Sequence, residues 1–141
     1  ELDEGSRLLI QNIELSDGED VLDLACGYGI IGIFLQKLYG VKIHLTDDNR
    51  TATYYAEKNL EFNNIRDYEL RNKDCLDGFT DRKFDAIVSN PPTHQGSGVT
   101  DEMFQQAHKS LKRGGKLYLT TSFQKCLMLP KYWKKRRITE Y

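Results

Sequence analysis

The feature that most constrains the fold of this chain is a glycine-rich turn between a short β-rich run and an apolar helical stretch. It reads Asp23-Leu-Ala-Cys-Gly27-Tyr-Gly29-Ile-Ile-Gly32. Glycines at such a turn let the backbone bend sharply and approach a ligand closely. The spacing Gly27-x-Gly29-x-x-Gly32 is that of the dinucleotide-binding fingerprint, so it predicts a strand, a turn that holds a nucleotide-like ligand, and a helix. The fingerprint alone is also compatible with a structural turn.

The rest of the chain repeats this alternation of strand and helix. Further strand-like runs lie at 41–46, 68–72, 84–89 and 116–121, and helical patterns lie at 6–13, 30–39, 52–60 and from 101 onward. This order predicts an α/β fold with a mainly parallel, doubly wound sheet, helices on both faces, and functional loops at the carboxyl ends of the strands.

Two details of these elements are also predicted. The helix over 30–39 is apolar all round, which predicts burial against the sheet. The last helix is expected to end with Lys109, Lys112 and Arg113, charges that suit a helix carboxyl end, before Gly114 leads into the fifth strand.

Length and composition indicate one soluble domain. The 141 residues are expected to form a single catalytic domain over 1–141, and because the chain begins at Glu1 without methionine we expect it to be a fragment of a longer protein. No apolar run approaches the roughly 18 residues of a membrane span, and nothing resembles a signal peptide. Cys26, Cys75 and Cys126 form no CxxC pair, which indicates a reducing, cytoplasmic setting without a metal site.

The charge distribution identifies one candidate contact with a nucleic acid. The net charge is −1, yet segment 131–137 contains five basic residues. Such a patch can contact phosphate groups. The alternative is a solvated helix end, or a tail exposed by truncation.

Three carboxylates bear on the choice of ligand. Asp47 closes the second strand and can bind both hydroxyls of a ribose, which suits NAD and S-adenosylmethionine (SAM) equally. Asp23 can order the glycine turn and reach a ligand's amino group, unless it is only a turn residue that binds backbone. SAM has no pyrophosphate, and its charged ends are an amino acid and a sulfonium, so an acidic, glycine-lined cleft favours SAM. Asp74, after the third strand, can accept the amino group of adenine.

The tetrapeptide Ser89-Asn90-Pro91-Pro92 follows the fourth strand and indicates amine chemistry. An arylamine is a poor nucleophile because its lone pair is delocalised into the ring. The side-chain oxygen of Asn90 and the carbonyl of Pro91 can accept the two amine hydrogens and orient the lone pair toward a methyl donor. The two prolines stiffen the loop. Out of this context, the tetrapeptide would be an ordinary strand-terminating turn.

Together these motifs resemble the methyltransferase small-domain family, a branch of the Rossmann-like class I SAM methyltransferases, from Leu2 to about Tyr132. The segment Leu2-Asp3-Glu4-Gly5-Ser6-Arg7-Leu8-Leu9 resembles the family's D-x-G-[ST]-x-x-L, which packs over the cofactor. Val21 to Gly32 matches the cofactor loop, 47–50 the ribose-binding turn, and 84–92 the F-D-x-I-x-x-N-P-P motif. The resemblance implies SAM-binding residues at Gly5, Asp23, Ala25, Cys26, Gly27, Gly29, Asp47, Asp48, Asp74 and Asn90, and catalytic residues at Asn90, Pro91 and Pro92.

Two positions depart from the family pattern. Thr93 stands where catalytic N-P-P motifs usually continue with an aromatic residue that stacks on the target base, a loss of about 1–3 kcal/mol if nothing replaces it. The family fold normally closes with two further strands. Here only 137–140 resembles a strand start, so the closing strands are expected to be absent or shortened.

The leading interpretation is a SAM-dependent N-methyltransferase that acts on an exocyclic amine, guanine N2 of ribosomal RNA, and releases S-adenosylhomocysteine. Adenine N6 or a protein glutamine amide are alternative targets. From other classes, a nicotinamide-dinucleotide domain and an inactive SAM- or RNA-binding module remain open. Cys26 and His44 are interpreted as packing residues, His94 as a candidate substrate contact, and Trp133 as either an RNA-stacking or a buried side chain.

Overall fold

The computed structural model describes residues 2–73, 79, 81–90, 101–120, 126–130 and 139–140, with the backbone alone for 101–104, 126–130 and 139–140. The helices are α1 (Glu4–Asn12), α2 (Ile30–Tyr39), α3 (Arg50–Phe62) and α4 (Asp101–Ser110). The strands are β1 (Asp20–Leu24), β2 (Lys42–Asp47), β3 (Tyr68–Asn72), β4 (Phe84–Ser89), β5 (Leu111–Thr120), β6 (Cys126–Pro130) and β7 (Thr139–Glu140).

Within these residues the strands form one sheet in the order β3-β2-β1-β4-β5-β6-β7. Strands β1 to β5 pair in parallel, whereas β6 pairs antiparallel with β5 and with β7. The chain runs outward from β1 to β3 and then returns to place β4 on the other side of β1. The carboxyl ends of β1 and β4 therefore lie side by side at the point where the strand order reverses, which is where open α/β sheets bind ligands.

Both faces of the sheet are covered, as the sequence predicts. Alternate residues of each strand point to opposite faces. One face packs against α1, α2 and α3 through Leu9, Ile13, Val21, Ile31, Leu35, Ile43, Leu45, Ala56, Leu60, Ala86, Val88 and Tyr118. The other face packs against α4 through Leu22, Leu24, Phe79, Phe84, Ile87, Ala107, Leu111, Leu117 and Leu119. The predicted doubly wound α/β fold is confirmed.

Local sequence sets the helix ends. Asp3 caps α1 by accepting the Ser6 N–H at 3.0 Å, and Asn49 caps α3 by accepting the Ala52 N–H at 3.1 Å. Gly40 ends α2 in the left-handed conformation (φ 69°) that glycine adopts without strain.

One prediction about the elements is confirmed with a qualification, and another is wrong. Helix α2 packs against the sheet as predicted, but Phe34 and Leu38, four residues apart on one side, are 40% and 58% exposed because the helix packs along its opposite side. Strand β5 begins at Leu111, not at residue 116, so Lys112 and Arg113 belong to the strand. Leu111 pairs with Phe84, and the next paired residues are Lys116 and Ala86. A register shift in β5 accommodates the four residues between Leu111 and Lys116.

Two strands follow β5 among the residues that the structure describes. Strand β7 contains two residues, which lie in the predicted segment 137–140, and β6 was not anticipated from the sequence. In the described part of the chain, no helix is long and apolar enough to cross a membrane.

Candidate active site

The glycine turn connects β1 to α2 at the carboxyl end of the sheet. Gly27 and Gly29 have positive φ angles of 54° and 82°, and Ala25 has one of 57°, a conformation that costs a non-glycine residue about 1–2 kcal/mol. The turn is held by the Cys26 N–H, which donates to the Thr46 carbonyl at 3.0 Å, and by the Gly29 N–H, which donates to the Cys26 carbonyl at 2.9 Å. The backbone strain at Ala25 is of the kind that accumulates at ligand sites.

The three glycines of the fingerprint have different roles. In the described part of the chain, a Cβ added at Gly27 would meet nothing within 4 Å, which leaves open space above this part of the turn. Gly29 would meet Ala56 at 3.3 Å, and Gly32 would meet Ile43 and Leu45 at 3.0 Å. The first glycine therefore leaves room for a ligand, whereas the second and third allow α2 to pack closely on the sheet and on α3.

Asp23 is buried, and only one of its two carboxylate oxygens accepts a hydrogen bond from the described residues. Its Oδ2 accepts the Gly32 N–H at 2.9 Å, but its buried Oδ1 has no hydrogen-bond partner among the residues that the structure describes. The pKa of Asp23 is raised to about 7, mainly by burial and also by the nearby charge of Asp47, whereas the Gly32 hydrogen bond opposes the rise. An unpartnered buried carboxylate oxygen costs free energy that a ligand bearing N–H donors or positive charge would recover.

Asp47 ties the end of β2 to the glycine turn. Its Oδ2 accepts the Gly27 N–H at 2.8 Å, and its Oδ1 accepts the Asn49 N–H at 2.9 Å. Each carboxylate oxygen has a second lone pair, so both retain capacity to accept a ligand hydroxyl. Asp48, the next residue, is exposed.

Asn90 lies directly after β4 and is held by groups from two other elements. Its Nδ2 donates to Asp3 Oδ1 at 3.0 Å and to Ser6 Oγ at 3.1 Å. Its Oδ1 accepts from the Thr120 hydroxyl at 2.5 Å. A Cβ at Gly5 would lie 2.6 Å from Asn90 Oδ1, so only glycine lets α1 approach this closely. Gly5, predicted to contact the cofactor, packs here against the predicted catalytic side chain.

The predicted residues thus fall into two adjacent groups. Asp23, Gly27 and Asp47 are linked through the glycine turn, and Asn90 is linked to the amino-terminal segment. Parallel pairing of Leu24 with Ser89 brings the two groups together, because the residues that follow are Ala25 and Asn90. The predicted positions Asp74, Pro91, Pro92, Thr93, His94, Trp133 and 131–137 lie outside the described residues.

Sequence reasoning missed the residues that hold Asn90. Asp3 and Ser6 were noted only as part of a segment expected to cover the cofactor, and Thr120 only as a strand residue. A signal for Thr120 exists in the register: Leu119 pairs with Ser89, so Thr120 must lie beside Asn90.

Cys26 and His44 are both buried. Burial raises the pKa of the Cys26 thiol well above its ordinary value, and the charges of Asp23 and Asp47 add to this, so the thiol stays protonated and is a poor nucleophile. His44 packs edge-on against Phe79 and Phe84. Among the residues that the structure describes, no cluster of three or more His, Cys, Asp or Glu side chains could hold a metal ion.

Comparison with known protein sequences finds methyltransferases. Residues 1–130 match the methyltransferase small domain family. Proteins named ribosomal RNA large subunit methyltransferase G are similar: the Vibrio cholerae protein is 38% identical over 125 residues, and the Shewanella frigidimarina protein is 32% identical over 141 residues. Each alignment covers 84% of this chain but only 33% and 36% of those relatives, so the chain spans about a third of their length.

Solved structures agree on the fold. A 16S rRNA N2 methyltransferase of T. thermophilus, in complex with AdoMet and guanosine, superposes with a TM-score of 0.76 and 27% identity, covering 86% of this chain and 35% of that one. A methyltransferase from Pyrococcus furiosus superposes with a TM-score of 0.69 and 27% identity, covering 81% and 60%. The fold is that of the class I SAM methyltransferases, and the chain belongs to the methyltransferase small domain family.

Proposed function

We propose that this chain is the catalytic domain of a SAM-dependent methyltransferase that methylates guanine N2 of ribosomal RNA. The observation that carries the proposal is the fixed Asn90 amide at the carboxyl end of β4, next to the glycine turn at the end of β1. This arrangement puts a hydrogen-bond acceptor for a substrate amine beside a cradle for a methyl donor.

The residues of the cradle suit SAM. The unpartnered Oδ1 of Asp23 fits the ammonium group of the methionine part, and the open space over Gly27 leaves room for the ligand. The amino end of α2 has no side-chain cap, which suits the methionine carboxylate. Asp47 has acceptor capacity for the ribose hydroxyls. Two carboxylates in one cleft favour a sulfonium cation over the diphosphate of a dinucleotide.

The chemistry needs positioning more than a strong base. When bound, SAM supplies an electrophilic methyl group on its sulfonium sulfur. Asn90 Oδ1 has one lone pair left beside the Thr120 hydroxyl, and this lone pair can accept a hydrogen of the exocyclic amine. An acceptor at this position stabilises the positive charge that develops on the amine nitrogen, and the methylated amine then loses its proton readily.

Relatives support the substrate. The similar proteins named ribosomal RNA large subunit methyltransferase G act, by name, on ribosomal RNA, and the T. thermophilus structure contains guanosine. By this relationship guanine N2 is favoured over adenine N6 and over a protein glutamine amide. A nicotinamide-dinucleotide domain would leave the fixed Asn90 without a role.

Calorimetric titration with SAM and, separately, with NADH tests the cofactor. We expect saturable binding of SAM and none of NADH. Binding of NADH alone would refute the proposal.

Transfer is tested by incubating the purified protein with SAM and deproteinised ribosomal RNA, followed by mass spectrometry of the nucleosides. We expect N2-methylguanosine from the wild-type protein. At saturating SAM, Asn90→Ala should lose roughly 100-fold or more in turnover, beyond any rise in its Kd for SAM. Equal turnover by Asn90→Ala would refute the mechanism, and N6-methyladenosine as the product would refute the guanine target.

A further inference from the structure

The hydrogen bonds of Asn90 use almost all of its capacity. A primary amide has two N–H donors and one oxygen with two lone pairs. Both donors are occupied, one by Asp3 Oδ1 and one by Ser6 Oγ, and one lone pair is occupied by Thr120. Among the described residues, these bonds leave a single acceptor position on Oδ1 for a substrate.

The direction of these bonds is fixed by their partners. The Ser6 hydroxyl donates to Asp3 Oδ2 at 2.8 Å, so its oxygen faces Asn90 as an acceptor. Asp3 is a carboxylate and can only accept. Burial opposes its ionisation, but hydrogen bonds from Ser6 and Asn90 outweigh that effect and hold the pKa of Asp3 below its ordinary value. If the Asn90 amide flipped, its oxygen would face the acceptor oxygens of Asp3 and Ser6, so the observed orientation is fixed.

We propose that Asp3, Ser6 and Thr120 form a positioning frame that makes Asn90 an acceptor-only group, and that this frame selects a substrate amine over a carbonyl or hydroxyl acceptor. The inference rests on the proposed methyl-transfer function. An unframed asparagine could present either its N–H group or its oxygen, whereas the framed one presents only oxygen. The anionic Asp3 also polarises the amide, because a carboxylate that accepts from the N–H group increases the negative charge on the amide oxygen.

Close packing contributes to the frame. The contact between Gly5 and Asn90 brings the start of α1 to the carboxyl end of β4. The hydrogen bond between Asp3 and Asn90 joins residues that are 87 positions apart in the sequence. The amino-terminal segment, which the family resemblance assigns to the cofactor, thus contacts the proposed catalytic side chain.

The frame is tested with Asp3→Ser and Thr120→Val, because each change keeps a local structural role. Serine still caps α1 but has one short oxygen, which the cap bond uses. Valine keeps the shape of threonine without the hydroxyl. Thr53→Val is the matched control, since it removes a buried hydroxyl that binds its own helix at Arg50. We expect kcat to fall about 10- to 100-fold in Asp3→Ser and less in Thr120→Val, with the Kd for SAM and the Tm near wild type, and no change in Thr53→Val.

A second measurement is independent of activity. In NMR spectra, the two side-chain amide hydrogens of Asn90 should be inequivalent and slow to exchange, and their exchange should accelerate about tenfold in Asp3→Ser, with the Asn63 side-chain amide as an unaffected reference. If the wild type is active and both variants turn over equally fast, the frame is refuted while the proposed function stands. If the wild type is inactive, the proposed function fails, and fast exchange of the Asn90 amide in the wild type would refute the frame itself.

Discussion

Among single residues, Asp23 links the stability of the ligand-free protein to pH. Its pKa is about 7 in the folded chain, against an ordinary value of 3.8. The unfolded chain therefore loses this proton first, and the contribution of Asp23 to stability falls as pH rises from about 4 to about 7. A shift of this size corresponds to roughly 4 kcal/mol.

Asp23→Asn should remove this dependence on pH. Asparagine can still accept the Gly32 N–H, and it carries no charge to bury. Urea unfolding of the ligand-free protein at pH 5 and pH 8 is the measurement. Relative to the variant, the wild type should lose about 2–4 kcal/mol of unfolding free energy between the two values. A wild-type protein that gains stability over this range relative to Asp23→Asn would contradict the raised pKa.

Residue positions along the chain predicted part of the candidate site. The spacing of Asp23, Gly27 and Asp47 predicted that they lie close together, because each lies in or just after the carboxyl end of a strand and parallel strands end at one edge. The frame around Asn90 was not predictable in this way. Asp3 reaches Asn90 only because α1 packs on β5, the neighbour of β4, and that packing brings Gly5 against Asn90 in a tertiary contact that no local pattern encodes.

At the scale of the elements, the packing of α2 on the sheet depends on Gly32. In Gly32→Ala the new Cβ would lie 3.0 Å from Ile43 and Leu45 and 3.3 Å from Asp23. Alanine is the better helix former by up to about 1 kcal/mol, but overpacking at such contacts costs about 1–3 kcal/mol. We expect net destabilisation in urea unfolding, together with weaker SAM binding.

Gly18→Ala separates steric cost from backbone cost. Gly18 has a φ of 77° but no neighbour within 4 Å of an added Cβ, so only its backbone is strained by the change. It should lose about 1 kcal/mol of stability without any change in SAM binding. If Gly32→Ala had the same Kd for SAM as Gly18→Ala, the close contact of Gly32 with Ile43 and Leu45 would not be needed for SAM binding.

Lys112 joins three strands at the amino ends of the sheet. Its Nζ donates to Asp20 of β1 at 3.0 Å and to Asp85 of β4 at 3.1 Å. The hydrogen bonds to Asp20 and Asp85 raise the pKa of Lys112. The group is 42% exposed, so solvent screens the pairs. Lys112→Met should therefore cost only about 0.5–1 kcal/mol, less in 1 M salt. A loss that is independent of salt would assign the effect to packing instead.

The same residue shows where element prediction fails. A run of Lys109, Lys112 and Arg113 fits a helix end, but Leu111 is buried beside Phe84, and burial of that side chain starts the strand early. Helix α2 packs against the sheet as predicted, but its uniform apolarity gave no indication of which side would remain exposed. The periodicity of the sequence thus located β5 and α2, but tertiary packing determines where β5 begins and which side of α2 is exposed.

For the molecule as a whole, order along the chain was enough to predict a parallel core with helices on both faces. The antiparallel β6 was not predictable, because its pairing with β5 depends on the edge that β5 presents and not on alternation of strand and helix. The carboxyl-end location of the site follows from the topology alone, whichever ligand the turn holds.

Ligand binding should couple Asp23 to the stability of the whole fold. A ligand that binds only the native state stabilises it by mass action, by about 2.7 kcal/mol at a hundredfold excess over Kd. If the ammonium group of SAM pairs with Asp23 Oδ1, binding requires the carboxylate, so a protein that holds the Asp23 proton must release it. At a fixed SAM concentration, the rise in the Tm of the wild type should therefore be larger at pH 8 than at pH 6. The rise in the Tm of Asp23→Asn should be smaller, and it should be the same at the two pH values.

Calorimetry at pH 6 in two buffers of different ionisation enthalpy should detect the released proton. Equal Tm shifts at both pH values in the wild type, with no proton release, would show that SAM does not contact this carboxylate.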